Sequence, residues 1–457
     1  MTNTASRREF LKRGSALSLA GAAAPWALNL AAIGEAAAQS ATDYKALVCV
    51  FLFGGNDHGN TLVPYDSATH ASYSSLRGTL ATARAALTPT LLVPAIALPA
   101  ARQYALAPEL APLLPLFNAG SMAVLLNVGP LVVPTSKAQY TARSVPLPPK
   151  LFSHNDQQSV WQSSLPEGAT SGWGGRIGDL FAAGNGNATF TAISVAGNAV
   201  YLSGQSAVQY QVSSGGPVAI NALSGSLYGS AAASQALRSL ITGAASAQLI
   251  EQAYSGVVRR SIDADVALRA ALAGVAPLAT AFPATSLGAQ LAMVARMISA
   301  RAAVGARRQV FFVSLGGFDT HDNLATDHPA LLAQLAPALA AFQAATAELG
   351  VADRVTAFTA SDFGRTLTSN GDGSDHGWGS FHFVLGGAVN GRRFIGSAPL
   401  PGNDGPDDVG QGRMLPTIAV DQLAATLATW MGVGASDLAR VVPNIGSFTA
   451  RDLGVFV

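Results

Sequence analysis

The sequence predicts an α/β fold built around a mainly parallel β-sheet, because two patterns alternate along the chain. Short continuous apolar runs, rich in β-branched and aromatic residues, are typical of strands that are buried on both faces. Segments with the length and pattern of helices separate several of these runs. The predicted strands are 46–53, 122–128, 188–196, 309–315, 354–360 and 381–389, and the clearest predicted helices are 286–305, 329–350 and 421–432.

The predicted helices have recognisable ends. Pro329 lies near the start of the second helix and Gly350 at its end, which is the usual asymmetry of helix termini. Asp421 is the expected N-cap of the third helix. The segment from about 197 to 245 is instead rich in Ser, Gly and Ala, so we expect an irregular insertion within a single domain at 39–457.

The N-terminus has the organisation of an export signal. Arg7 and Arg8 precede an apolar, Ala-rich run, and small residues follow as far as Ala38. The paired arginines indicate the twin-arginine route, so residues 1–38 are expected to be removed and the mature chain to be periplasmic or secreted. The alternative interpretation of this segment is an N-terminal membrane anchor.

The composition excludes several classes of function. Charged residues make up 12% of the chain and the formal net charge is +1 at pH 7, so no nucleic-acid partner is expected. No apolar run of about 18 residues follows the signal, so we expect no membrane span after cleavage. The single cysteine, Cys49, lies in an apolar run and is expected to be a buried core residue.

Polar residues collect where three predicted strands end. Asp57, Asp319 and Asp362 each lie in a loop that follows a strand, and such loops meet at one edge of an open α/β sheet. Histidines share these loops, and Asp with neutral His suits Zn, Mn, Mg, Ca or Fe. Each aspartate could instead form a turn or cap a helix. The predicted ligands of a divalent metal site, with the number of ions left open, are Asp57, Asp319, His321, Asp362, Asp375 and His376.

Catalytic candidates occur in two of these regions. Ser153 follows a Pro-rich stretch and could cap a helix whose N-terminus binds an anion, or act as a metal-activated nucleophile. His154 follows it directly and is a candidate for the same site. Arg365 has the fork geometry that binds phosphate or sulfate, although it could equally form a structural ion pair with a nearby aspartate.

Several segments, taken in order, resemble an exported bacterial family known as domain of unknown function 1501. They include FLFGGNDHGNTLVP, LFSHNDQQSVW, SGWGGRIGDL, FFVSLGGFDTHDN and SDFGRTLTSNGDGSDHGWGSFHFVLGG. The resemblance extends over essentially the whole mature chain. That family is grouped with the alkaline phosphatase and sulfatase superfamily, so the resemblance implies a three-layer α/β/α sandwich and metal-dependent hydrolysis of phosphate or sulfate esters.

The resemblance also implies roles for individual residues. Ser153 lies near the position of the superfamily's nucleophile, whereas Phe363 stands where the superfamily has a metal-binding histidine. The residues that match metal ligands of the superfamily are Asp57, Asp319, His321, Asp362 and His376.

Two functions are compatible with the sequence. The first is an exported metal-dependent hydrolase of small-molecule or glycan phosphate or sulfate esters, in which either Ser153 or water attacks. The second is a catalytically degenerate periplasmic binding or assembly protein of the same fold. Phe363 favours the second function, because it removes one ligand from the superfamily's pattern.

Overall fold

The computed structural model describes residues 43–218, 220–243 and 248–457. The export signal predicted at 1–38 lies outside the described residues, as do a few positions of the Ser- and Gly-rich segment. Within the described residues the chain is a mixed α/β protein with thirteen α-helices and a nine-stranded, mainly parallel sheet.

In chain order the strands are β1 Lys45–Leu52, β2 Leu62–Pro64, β3 Tyr104–Leu106, β4 Met122–Gly129, β5 Ala192–Ser194, β6 Tyr210–Gln211, β7 Arg308–Leu315, β8 Val355–Ser361, β9 Arg365–Ser369, β10 Ser374–His376, β11 Ser380–Gly386, β12 Arg393–Ile395 and β13 Ile418–Ala419. The large sheet has the strand order β12-β4-β11-β8-β1-β7-β5-β6, and β13 pairs with β4. Only β11 runs antiparallel to its neighbours, β4 and β8, so the expected mainly parallel sheet is confirmed.

Helices precede, follow and connect these strands. In chain order they are α1 Ser67–Arg77, α2 Arg84–Leu87, α3 Leu114–Asn118, α4 Lys137–Ala142, α5 His154–Ser163, α6 Trp173–Phe181, α7 Asn221–Ser224, α8 Ala231–Thr242, α9 Leu249–Ala273, α10 Ser286–Ser299, α11 Leu324–Glu348, α12 Val420–Met431 and α13 Leu438–Val441. The segment that we expected to be irregular therefore contains β6 and two helices, α7 and α8, among its described residues.

Apolar side chains cover both faces of the sheet. Val48 and Val50 of β1 belong to the hydrophobic cluster that contains α10 and α11, whereas Cys49 and Phe51 belong to the cluster that contains α6 and α12. Complete burial of such a side chain contributes about 1.5–3 kcal/mol, so a strand buried on both faces is strongly fixed in the sheet. Cys49 is a buried free thiol, as expected.

All six predicted strands and all three predicted helices are present, with shifted ends. Helix α11 begins at Leu324, ahead of its predicted start, and Pro329 lies inside it. This 25-residue helix has the length and hydropathy of a membrane span, the one such helix among the described residues, and half of its apolar window is buried. Leu335 and Leu339 pack in the core, so α11 has the position of an apolar core helix.

Helix α12 begins differently from the prediction. Asp421 lies in its first turn, and the N-cap position is occupied by Ala419, because β13 leads directly into the helix. The side-chain oxygen of Gln422 accepts a hydrogen bond from the backbone N–H of Ala419 at 2.9 Å. This bond pairs one backbone donor at the start of the helix without a capping carboxylate.

The strand register determines where the functional loops lie. Strands β8, β1 and β7 are adjacent and parallel, and Leu52 at the end of β1 pairs with both Leu315 of β7 and Ser361 of β8. The loops that follow these three strands therefore leave the sheet side by side. This is the convergence that the positions of Asp57, Asp319 and Asp362 predicted.

Three histidines lie deep inside this fold. Burial lowers the pKa of His58 to about 4, that of His328 to about 4 and that of His382 to about 3. Their ordinary pKa is 6.5, so the unfolded chain takes up a proton at each below that pH, while the folded chain excludes it. Their contribution to stability is therefore fully present above pH 6.5 and is lost as the pH falls towards about 4.

We expect the metal-free protein to lose about 2–3 kcal/mol of unfolding free energy per pH unit between pH 6.5 and 5. Each histidine contributes about 1.4 kcal/mol per unit, and Asp421 offsets one of them, because burial raises its pKa to about 7 and the folded chain retains its proton. Urea unfolding at several pH values measures this slope. The variant His382→Asn should be less pH-dependent by about one proton, and a flat wild-type profile would contradict the expectation.

Candidate metal centre

One aspartate and three histidines come together beyond the carboxyl ends of β1, β7 and β8. Oδ1 of Asp319 is 3.1 Å from Nε2 of His321 and 3.2 Å from Nε2 of His376, and these two nitrogens are 2.9 Å apart. Nε2 of His154 lies 3.4 Å from the other oxygen of Asp319. Ligands bound tetrahedrally at 2.0–2.1 Å are separated by about 3.4 Å, so these atoms have nearly the spacing of a zinc-like site.

Each of the three imidazoles directs its other nitrogen, Nδ1, at a different acceptor. The pairs are His154 with Asp362 at 2.7 Å, His321 with Asp375 at 3.3 Å, and His376 with the carbonyl oxygen of Phe152 at 2.7 Å. A neutral imidazole that donates from Nδ1 carries its lone pair on Nε2. The lone pair of His376 therefore points towards the Asp319 carboxylate, and outer partners such as these three are typical of histidines that bind metals.

The segment from 361 to 383 delivers His376 through a small hairpin. Strands β9 and β10 are antiparallel, and His376 pairs with Arg365 across them. The turn between them has the Asn-Gly-Asp-Gly sequence that favours a tight reversal. Burial lowers the pKa of His376, which favours the neutral, metal-binding form of the ring.

Asp362 is the hydrogen-bond partner of His154 on the side of the ring that faces away from Asp319. Its carboxylate is completely buried and accepts hydrogen bonds from Nδ1 of His154, Nε2 of Gln158 and the backbone N–H of Gly54. Gln158 was missed from the sequence, although its spacing of four residues from His154 on one helix places both on the same face. The predicted metal ligand Asp362 thus contacts the cluster by orienting His154.

Arg365 takes the structural alternative that the sequence left open. It is completely buried, donates from Nη1 to Asp319 at 2.8 Å and to the Gly54 carbonyl at 3.0 Å, and donates from Nε and Nη2 to Ser374. An oxyanion anchor needs a donor that faces the ligand, and these bonds occupy the guanidinium. Burial raises the pKa of Asp319, but the bond to Arg365 outweighs it, so the pKa is lowered and the carboxylate stays charged.

Gly54 connects two of these side chains through its backbone. Its N–H donates to Asp362 and its carbonyl accepts from Arg365. Its φ is +115°, and a Cβ there would lie 2.3 Å from the backbone nitrogen of Asp319, so only glycine fits. Gly54 therefore allows the loop after β1 to lie directly against the backbone of the loop after β7.

Asp57 does not join this group. It forms an ion pair with Arg77, and both side chains have 0% exposure. Arg77 also donates to the Thr366 carbonyl at 2.9 Å. A buried charge needs an opposite charge, and Arg77 at the end of α1 supplies it in place of a metal. Arg77 was missed because an arginine in a polar helix is ordinarily exposed.

Ser153 lies at the N-cap position of α5. Its hydroxyl donates to Oδ2 of Asp156 at 2.9 Å, and no backbone N–H of the helix donates to it. The predicted capping bond is therefore absent there. The Asp156 carboxylate is the hydrogen-bond partner of the Ser153 hydroxyl instead.

The apolar ring of Phe363 packs against His154 and His376. It is completely buried, and its ring centre lies 4.9 Å from that of His154 and 4.6 Å from that of His376. Both imidazoles therefore have an apolar ring on one side. Phe363 thus packs against two of the candidate residues.

The fold and the site together define an α/β protein with a histidine and aspartate cluster at its strand ends. The ligand atoms of His154, Asp319 and His376 lie within 4.8 Å of one another, a group that could hold a metal ion. The chain belongs to the family described as Protein of unknown function (DUF1501), which matches residues 44–442, so the family expected from the sequence is confirmed. No curated protein matches this sequence.

Proposed function

We propose that the protein binds one divalent cation through Asp319, His321 and His376 and hydrolyses phosphate or sulfate esters of small molecules or glycans outside the cytoplasm. In this proposal the fold is an alkaline phosphatase-like three-layer sandwich, and export follows from the signal predicted at 1–38. The observation that carries the metal centre is the convergence of Nε2 of His321 and Nε2 of His376 on one oxygen of Asp319, with Nδ1 of His376 hydrogen bonded to the Phe152 carbonyl.

The donor set narrows the choice of cation. Calcium, magnesium and manganese prefer oxygen ligands, whereas imidazole nitrogen suits zinc and iron. With two imidazoles and one carboxylate, and a third imidazole within reach, zinc is favoured over manganese, magnesium and calcium. When bound, the cation would polarise an oxygen of the ester and stabilise the negative charge that develops.

His154 and Asp362 are suited to move the proton. The hydrogen bond to Asp362 raises the pKa of His154, so the ring can hold a proton near neutral pH and donate it to the leaving oxygen. Asp362 orients the ring and is itself fixed by Gln158. Asp319, kept charged by Arg365, balances part of the positive charge of the cation.

The nucleophile is either Ser153 or water. Ser153 immediately precedes His154, and its hydroxyl proton is directed at the Asp156 carboxylate, which could accept it. In the other case Ser153 only fixes the first turn of α5 and water attacks. The variant Ser153→Ala separates these alternatives, because it stops turnover only in the first case.

The experiment is hydrolysis of 4-nitrophenyl phosphate and 4-nitrophenyl sulfate by the purified protein, loaded in turn with Zn, Mn, Mg and Ca. We expect the highest turnover with Zn, and a loss of about 10²–10⁴-fold in His154→Ala, the usual contribution of general acid catalysis. His70→Ala is the matched control, since His70 hydrogen bonds to the Thr82 carbonyl away from the cluster. Stoichiometric metal without turnover of any ester would refute the hydrolase.

The second candidate is a catalytically degenerate binding or assembly protein with the same metal centre. Two features favour it: every nitrogen of the Arg365 guanidinium donates to a protein oxygen, and the apolar Phe363 stands where the resemblance implies a ligand. It predicts that the metal-loaded protein binds neither inorganic phosphate nor sulfate. Isothermal titration with both anions distinguishes it from the hydrolase.

A further inference from the structure

The backbone of Phe152 has a conformation that bulky residues rarely adopt. Its φ is +72°, in the left-handed region, where the Cβ of an L-residue crowds its own carbonyl. Lys150, two residues earlier, has a φ of +42°. Such outliers persist only where the surrounding structure imposes them, and they concentrate at functional sites.

This conformation places a carbonyl against the metal centre. The oxygen of Phe152 accepts the Nδ1 proton of His376 at 2.7 Å, across 224 positions of sequence. Two residues later the same segment contributes His154 to the cluster. The strained turn therefore fixes the tautomer of one candidate ligand and the location of another histidine.

Arg413 contacts both partners of that hydrogen bond. Its Nε donates to the backbone carbonyl of His376 at 2.8 Å, and its guanidinium carbon lies 5.0 Å from the centre of the Phe152 ring. Nη1 donates to the Gly410 carbonyl at 3.2 Å, which ties the side chain to its own loop. A planar guanidinium can stack on an aromatic face and donate in its plane at the same time, and lysine cannot do this.

We propose that Arg413 is a positioning residue for the metal centre. This inference rests on the metal centre of the proposed function. By stacking on Phe152 and bonding to the backbone of His376, it holds the left-handed turn in place and so directs the Phe152 carbonyl at His376. A purely structural Arg413 would stabilise the fold equally with and without metal. A positioning residue must in addition change the affinity and geometry of the bound ion.

The test compares the wild type with Arg413→Ala and Arg413→Lys. Zn²⁺ affinity is measured by competition with a chromogenic chelator, and the visible absorption of the Co²⁺-loaded protein reports the ligand geometry. We expect both variants to bind Zn²⁺ about 10–100-fold more weakly, as for other outer partners of metal ligands, with altered Co²⁺ bands. Unfolding of the metal-free chains corrects for any loss of stability.

Arg301→Ala is the matched control. The guanidinium of Arg301 makes the same two kinds of contact, a 5.4 Å approach to the Tyr44 ring and a 3.1 Å bond to the Ile298 carbonyl, at the opposite end of β1. This variant should leave the Zn²⁺ affinity and the Co²⁺ spectrum unchanged. If Arg413→Ala behaves in the same way, Arg413 is not a positioning residue.

A second variant tests the route through Phe152. Glycine adopts a φ of +72° without strain, so Phe152→Gly should keep the carbonyl in place without Arg413. The double variant should therefore bind Zn²⁺ within about threefold of Phe152→Gly alone. A full additional loss in the double variant would overturn the proposed route. A wild type that binds no metal would overturn the centre itself, whereas bound metal without turnover would refute only the hydrolase.

Discussion

Replacing His376 by alanine is expected to remove stoichiometric binding of a divalent cation, weakening it by more than about a hundredfold. The change deletes one of the two nitrogens that lie about 3 Å from Oδ1 of Asp319. His321→Ala should have the same effect, and its side chain is 40% exposed, so the variant should fold normally. Elemental analysis after dialysis measures the metal content per chain.

Asp319→Ala is a less clean test of the same centre. Arg365 is completely buried and donates to Asp319, so removing the carboxylate also leaves a buried charge without its partner. His70→Ala should retain one ion per chain. Metal content near one ion per chain in both His321→Ala and His376→Ala would contradict the proposed ligands.

Asp57→Ala is expected to destabilise the protein by about 3–5 kcal/mol without changing its metal content. Burial alone would raise the pKa of Asp57, but Arg77 and the neighbouring positive groups outweigh it, so the pKa is lowered and the pair is charged. The substitution leaves the Arg77 charge buried and unpaired. Guanidinium unfolding measures the loss, and elemental analysis checks the metal.

Two controls distinguish this pair from an ordinary ion pair. Replacing both partners, as Asp57→Leu with Arg77→Met, should recover most of the stability, because neither charge then needs compensation. Asp265→Ala, which breaks the partly exposed pair with Arg269, should cost much less than Asp57→Ala, because solvent screens that pair. Loss of metal in Asp57→Ala with unchanged stability would restore Asp57 as a ligand.

The sequence was sufficient to predict the sheet and the edge at which the site lies. Continuous apolar runs identify strands buried on both faces, and the aspartates that follow β1, β7 and β8 mark their carboxyl ends. Asp319, His321 and His376 came together as expected. These predictions succeeded because they depend on where the strands lie and on which end of each strand a loop follows, both of which local patterns indicate.

The partners of individual side chains could not be predicted in the same way. Asp57 and Asp319 both follow a Gly-Gly pair, yet one faces Arg77 and the other faces the histidines. The orientation depends on where α1 places Arg77, which is a tertiary property. The carbonyl of Phe152 has no sequence signature, because every residue has one.

The hydrogen bonds around the histidines have a consequence for folding. They join positions that are 208 and 224 residues apart in the chain, His154 with Asp362 and His376 with Phe152. An unfolded chain rarely brings such positions together, so a cation would bind the folded form almost exclusively. Ligand present at a hundred times its dissociation constant then adds about 2.7 kcal/mol of stability. The cation would act as a removable cross-link between the loop that follows β7 and the hairpin of β9 and β10.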